Sequence, residues 1–341
     1  MTRLPVRFRR SGGFTLVEAI MTIAIVGIIG GIVAVFIRSP ILSYRDTVDR
    51  AELTDQADLA LRRMARDIRL ALPNSVRVRE TTDDQGVHPG AHLELLLTRS
   101  GARYLTPGDG VALAKTLSFD DAGKRDFLAL APPRTFDDVR IGDFVVVYNL
   151  GPGLTPADAY SLEATGEIAG NAGKAGNTAG CPATSPVTAA GNIARICALT
   201  PSQTAVPQPR TLNDADLNAP VRTITLAGNP FALQTAAMAS PLQRFQVVSG
   251  AVSFFCAKGT DGRWVLWRAW DYPITAVQAV PTGGKRAMIA SGLDTCDNLF
   301  AYGSAASQRT GLVRIALALR GRNESPPVIR LVHQVHVDNT P

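Results

Sequence analysis

From position 14 to position 37 the chain reads FTLVEAIMTIAIVGIIGGIVAVFI, apolar on every side of a helix except for one acid, Glu18. At ~1.5 Å per residue this run predicts a helix roughly 36 Å long, enough to cross a ~30 Å hydrocarbon layer with some tilt. A buried helix of a soluble domain is the alternative; so long an apolar run, directly behind a cluster of arginines, argues against it. Pro40 removes a backbone donor and predicts a kink or brief interruption where the helix leaves the membrane. Beyond it the pattern turns amphipathic. Leu53, Ala57, Leu61, Met64, Ile68 and Leu72 recur at spacings of three and four, opposite Asp55, Arg62, Arg66 and Arg69. This predicts an amphipathic helix over 38–72 that stops before Pro73, packs its stripe on a sheet and carries an ion pair from Asp58 to Arg62.

Strand patterns dominate the remainder. The segment 92–98 places Leu93, Leu95 and Leu97 on one face, 143–148 contains Phe-Val-Val-Val, and 246–255 and 263–270 are strand-like. The clearest alternation sets Val313, Ile315, Leu317 and Leu319 against Arg314, Ala316, Ala318 and Arg320, and a last strand is expected over 328–337. One amino-terminal helix followed by many strands predicts an α+β fold with a mainly antiparallel sheet over 73–341. Between 151 and 230 the chain loosens into Gly, Ala, Asn, Thr and Pro, with a low-complexity stretch at 166–180. That region reads as surface insertion into one domain, and Gly173-Lys174 lacks the Ser or Thr of a phosphate-binding loop.

With 46% apolar and 19% charged residues in 341, the chain can bury a core, which excludes collagen-like, coiled-coil and wholly disordered classes. The formal charge of +6 owes much to Arg3, Arg7, Arg9 and Arg10; without them the chain is close to neutral, so nucleic acid is not an expected partner. Cys181, Cys197, Cys256 and Cys296 all follow the span. On an exported chain an even number suggests two disulfides, with three connectivities possible; pairing in sequence order closes short loops and is preferred. A zinc site would call for a C-x-x-C pair or a nearby histidine, and the chain offers neither.

Pro89-Gly90 breaks the helical geometry that would let His88 and His92 share a metal, and His333 and His336 should face opposite sides of a strand. With no G-x-S-x-G motif, enzyme chemistry has no support and no cofactor is implied. Trp264 and Trp270 should share one strand face and Trp267 the other, in the core or, for one of them, at a subunit contact.

The residues in front of the span are Ser11-Gly12-Gly13, followed by Phe14-Thr15-Leu16-Val17-Glu18 and preceded by Arg9 and Arg10. This arrangement resembles the class III leader of type IV pilins and type II secretion pseudopilins. A secretory signal peptide has a shorter apolar region and an A-x-A-like site, whereas the exit here reads Val35-Phe36-Ile37-Arg38-Ser39-Pro40. The resemblance implies a pilin-like fold, a leader over 1–13 cut after Gly13 by a prepilin peptidase, and methylation of the new terminus at Phe14. It also implies a single pass through the inner membrane with a periplasmic carboxyl-terminal domain, and a place at the pilus tip after assembly. Implied partners are other major and minor pilins, the inner-membrane assembly platform and the lipid bilayer. A carboxylate inside a span costs on the order of 2.5–3.5 kcal/mol, so Glu18 needs a partner. The resemblance assigns it the free α-amino group of a neighbouring subunit, fixing axial register. Gly27, Gly30 and Gly31 allow close helix approach or local extension, and equally fit ordinary membrane-helix usage. The segments 60–69 and 71–77 and the tail 335–341 resemble minor pilin-like proteins of mannose-sensitive haemagglutinin (MSHA) pilus biogenesis. The helix is also similar to J-type minor pseudopilins of type II secretion.

Overall fold

The computed structural model describes residues 13–84, 86–130, 134–165, 181, 187–201, 221–303, 310–321 and 328–341. Residues 1–12 of the expected leader and the low-complexity stretch 166–180 lie outside the described residues. The chain divides into two compact units, Met1–Glu52 and Leu53–Pro341.

One helix, α1 (Leu16–Arg69), supplies the first unit and the opening of the second. It continues through Pro40 without the interruption expected there. A proline withdraws a single rung from the hydrogen-bond ladder, and the turns on either side hold the helix. In the second unit the amphipathic stripe is buried as its spacing requires: Ala57, Ala60, Met64 and Ile68 are fully buried and Leu61 nearly so. Arg62 lies on the opposite, exposed side and bonds Asp58 at 2.6 Å. The helix ends at Arg69, three residues before the expected stop. The Thr98 N–H donates to the Leu70 carbonyl and the Leu72 N–H to the Leu96 carbonyl, each at 2.8 Å, so pairing with a strand takes the chain over before Pro73 is reached.

Twelve strands follow among the described residues. They are β1 (Arg77–Asp83), β2 (Gly86–Tyr104), β3 (Asp126–Leu130), β4 (Phe144–Val146), β5 (Ile193–Pro201) and β6 (Val221–Leu226). Then come β7 (Arg244–Lys258), β8 (Trp264–Trp270), β9 (Lys285–Leu293), β10 (Phe300–Gly303), β11 (Thr310–Arg320) and β12 (Val328–Asp338). Every pairing is antiparallel. The expected strands are present within β2, β4, β7, β8, β11 and β12. Val313, Ile315, Leu317 and Leu319 all face inward as their alternation demands.

Two long strands, β2 and β7, each serve two layers. The first half of β2 pairs with β1 and with the second half of β7; together with β8, β9, β10 and β11 it packs under the helix. The second half of β2 pairs with the first half of β7 and with β3. From β3 the pairing passes through β6, β5 and β4 and returns to β7. Six strand segments therefore close into a ring around a second core that includes Phe127, Ile196, Ile224, Leu226, Phe231 and Val247. Closure leaves the short strands β3 to β6 without an exposed edge. The register shifts on both sides of Thr98, where β2 passes from one layer to the other, and such bulges bend and twist a strand. Because β5 and β6 fall within 151–230, part of that loosely composed stretch is ordered and completes the ring.

Candidate functional site

The amino-terminal segment is built by the start of α1. Gly13, Phe14 and Thr15 precede the helix, and Glu18 lies in its first turn. The Thr15 hydroxyl accepts the Glu18 N–H at 3.3 Å and the Thr15 carbonyl accepts the Ala19 N–H at 3.1 Å. Thr-x-x-Glu before an apolar run is a helix-capping signature, and the acid also faces the positive end of the helix dipole. This gives a Thr and a Glu three apart a local role in starting the helix. A Cβ built on Gly13 would meet nothing within 4 Å, so packing in the folded chain does not call for glycine there. Phe14 is 78% exposed, and no residue of the apolar run Leu16–Ile37 is buried. Glu18 is exposed on this run and forms no ion pair among the described residues. Gly27, Gly30 and Gly31 likewise have open space around them.

The cysteines pair in sequence order. Cys181 joins Cys197 with Cα atoms 5.0 Å apart, tethering the chain to β5 in the ring. Cys256 joins Cys296 across 5.7 Å and lies in the core beneath the helix. The two bridges thus serve different layers. His88 and His92 both lie on β2 but do not converge. His88 bonds Asp297 at 2.7 Å and Asp83 at 3.2 Å; burial opposes its charge, but these two carboxylates raise its pKa. His92 is buried, 2.8 Å from the Ser253 hydroxyl, and its pKa falls to about 4 through burial and the nearby charges of Arg77 and Arg79. Three apart on β12, His333 is partly covered and His336 exposed. Trp264 and Trp270 pack on the helix-side core and Trp267 on the opposite layer, the division expected from their spacing. Each is half-buried beneath a cation, from Lys258, Arg268 and Arg286 respectively.

Buried polar residues form a chain that no local pattern announced. Arg77 bonds Glu94 at 2.7 Å, Glu94 accepts the Tyr272 hydroxyl at 3.0 Å, and Tyr272 meets Ser253 at 2.7 Å, which meets His92. Arg77 also donates to the carbonyls of Thr275 and Ala276 and lies 3.6 Å from the centre of the Tyr160 ring. Burial pushes the Glu94 carboxyl up while Arg77 and Tyr272 pull it back, and burial raises Tyr272 well above its ordinary value. Ser253 and His92 have the composition of a nucleophile and base, but at 0% and 1% exposure they have no opening to a substrate. Their partners are internal, and the network's work is to satisfy polar groups between packed layers. Asp67, on the buried side of α1, is held by Arg268 at 2.7 Å. Two segments far apart in sequence also meet. Asn74, after the helix, donates to the carbonyls of Asn149 and Asn339 at 2.9 and 3.1 Å, joining the helix exit to the ring and to the carboxyl-terminal tail.

Among the described residues there is no cluster of three or more His, Cys, Asp or Glu that would hold a metal ion. Residues 8–34 match the family model of the prokaryotic N-terminal methylation motif. No curated protein and no solved structure matches the chain. The matched residues include the apolar helix start, Phe14 and Glu18, and the motif points to a structural, membrane-anchored subunit rather than an enzyme. Motif, apolar helix and antiparallel sheet together support a type IV pilin-like or pseudopilin chain.

Proposed function

We propose that the chain is a minor pilin-like subunit of an MSHA-type type IV pilus, of the kind represented by MshO. In this reading a prepilin peptidase cuts after Gly13, Phe14 is methylated, and the subunit waits in the inner membrane with its second unit in the periplasm. It then joins other pilins on the assembly platform, helping to initiate or cap the filament at its tip. The observation that carries the reading is Glu18, a carboxylate with no ion pair among the described residues, four residues after Phe14 on the otherwise apolar, exposed run Leu16–Ile37. Cleavage would create a free amine one turn away, and that amine on a neighbouring subunit has the charge Glu18 needs. Removing one partner of a buried ion pair costs ~3–5 kcal/mol, which exceeds the ~1.4 kcal/mol that changes an equilibrium tenfold.

Glu18→Ala is therefore expected to be cleaved and to reach normal membrane levels, while its recovery in sheared filaments drops at least about tenfold. Wild-type recovery would refute the role of Glu18. A defect in protein secretion rather than piliation in the deletion strain would move the chain to the J-type pseudopilins.

A further inference from the structure

His88 sits where a neutral imidazole cannot satisfy its surroundings. Its Nδ1 lies 2.7 Å from a carboxylate oxygen of Asp297 and its Nε2 3.2 Å from one of Asp83. A neutral ring has one N–H and one lone pair, and an ionised carboxylate only accepts, so both contacts are bonds only when both nitrogens carry protons. The ring is 13% exposed. Burial opposes its charge, the two carboxylates favour it, and the net effect raises its pKa above the ordinary 6.5. Of the two cations next to the Trp264 ring, Lys258 on β7 bonds Asp84 at 3.0 Å, and Arg263 donates to the carbonyls of Arg320 and Gly321. His88 is the group that Asp83 and Asp297 share.

The three residues belong to different pieces of the fold. Asp83 and His88 lie on the two strands of the β1–β2 hairpin, opposite Gly86 and Thr81. Asp297 follows Cys296, which the disulfide to Cys256 anchors on β7. The Asn298 N–H donates to the Pro89 carbonyl at 2.6 Å and fixes the base of the hairpin end. Beyond that base little else holds it. Among the described residues of 81–88 none is buried, and the register shifts between Arg79 and Thr81, a bulge at which a strand bends. The Lys258–Asp84 pair is weak support, because Asp84 is 79% exposed. The His88 ring itself stands edge-on to Trp264, with centroids 4.8 Å apart at 74°.

We infer that His88 is a proton-operated latch on the end of the β1–β2 hairpin. As the imidazolium it ties residues 81–88 to the anchored turn at Asp297. When the ring gives its proton to solvent, a lone pair faces one of the carboxylates, the hairpin end swings away about the bulge, and Trp264 is uncovered. The latch is closed in acid and opens as the pH rises through the folded pKa of His88. It works in the same way whether or not the amino terminus is processed.

The test uses the full chain in lipid nanodiscs, followed by nuclear magnetic resonance from about pH 5 to about pH 9. Ring nitrogen shifts report the protons on His88, and hydrogen exchange reports protection of the amides of 81–88, with the fully buried Val313 on β11 as reference. Both ring nitrogens should be protonated at about pH 6 and lose one proton with a midpoint above 6.5. Protection factors in the hairpin end should fall roughly tenfold for each unit by which that midpoint exceeds 6.5, while Val313 stays protected. Asp297→Asn, at a half-exposed position, should lower both the midpoint and the protection in acid. Should that variant fail to fold, the wild-type titration decides. A singly protonated His88 at about pH 6, hairpin protection independent of pH, a loss of protection shared by Val313, or a wild-type midpoint in folded Asp297→Asn would each overturn the proposal.

Discussion

The two halves of α1 share one backbone ladder and differ in what covers them. Over Leu16–Ile37 the side chains are apolar in every direction and none is buried by the rest of the protein. From Ala57 to Ile68 the apolar residues, apart from the exposed Leu59, are confined to one stripe, and that stripe is buried against the chain's own strands. Each pattern reports its cover. An all-round apolar surface has no preferred side and suits a uniform apolar surrounding, whereas a stripe specifies one partner in one orientation. Glu18 is the single charged position in Leu16–Ile37, and Asp67 is the matching exception in the second half. Asp67 finds its counter-charge within the chain, in Arg268. Glu18 finds none among the described residues, and its partner is sought in another subunit.

The comparison breaks most visibly under truncation of apolar side chains. Met64→Ala in the buried half should destabilise the second unit by about 2–5 kcal/mol, because it removes a fully buried side chain from a packed core. Ile23→Ala, at a position 73% exposed, should leave the same unfolding transition within about 0.5 kcal/mol. Denaturant unfolding of the chain in nanodiscs, followed by tryptophan fluorescence, measures both. Equal losses would mean that the span is packed on the protein.

Acid should separate the regions next. Folded His92 binds a proton only near pH 4, while the unfolded chain binds one near 6.5. As the pH falls through that window the unfolded state gains protons and the second unit loses stability, by about 3 kcal/mol in all. His88 acts in the opposite sense, since Asp297 and Asp83 raise its pKa. The difference between wild type and His92→Gln isolates the His92 contribution, and a difference independent of pH would contradict its buried neutral state. The smallest effect is expected at the exposed Asp58–Arg62 pair, where Asp58→Ala should cost about 0.3–0.5 kcal/mol and less at high salt.

Local periodicity made the helix halves, the inward face of β11 and the strand cores readable, because each is decided within a few residues. The ring was not readable. Phe-Val-Val-Val marked β4, but β5 and β6 lie in a stretch of loop-like composition. Their stability comes from pairing partners dozens of residues away, which no local pattern encodes. β2 hid its register for a different reason. Ala91, Leu93 and Leu95 face one layer while His92, Glu94 and Leu96 are also buried on the other, so apolar and polar alternation does not mark inside and outside. The burial of Asp67 depends on Arg268, two hundred residues further along the chain. At the amino terminus the opposite holds: Gly13, Phe14 and Glu18 are adjacent in sequence, and a family signature covers them.

The central claim is that this segment is a processed pilin terminus. It is tested most directly by mass spectrometry of the amino terminus of the membrane-extracted protein, from cells with and without prepilin peptidase. The account predicts a chain beginning at Phe14 and one methyl group heavier in the presence of the peptidase, and an intact leader in its absence. The same uncut leader in both strains would contradict it and leave a membrane-anchored periplasmic protein in its place.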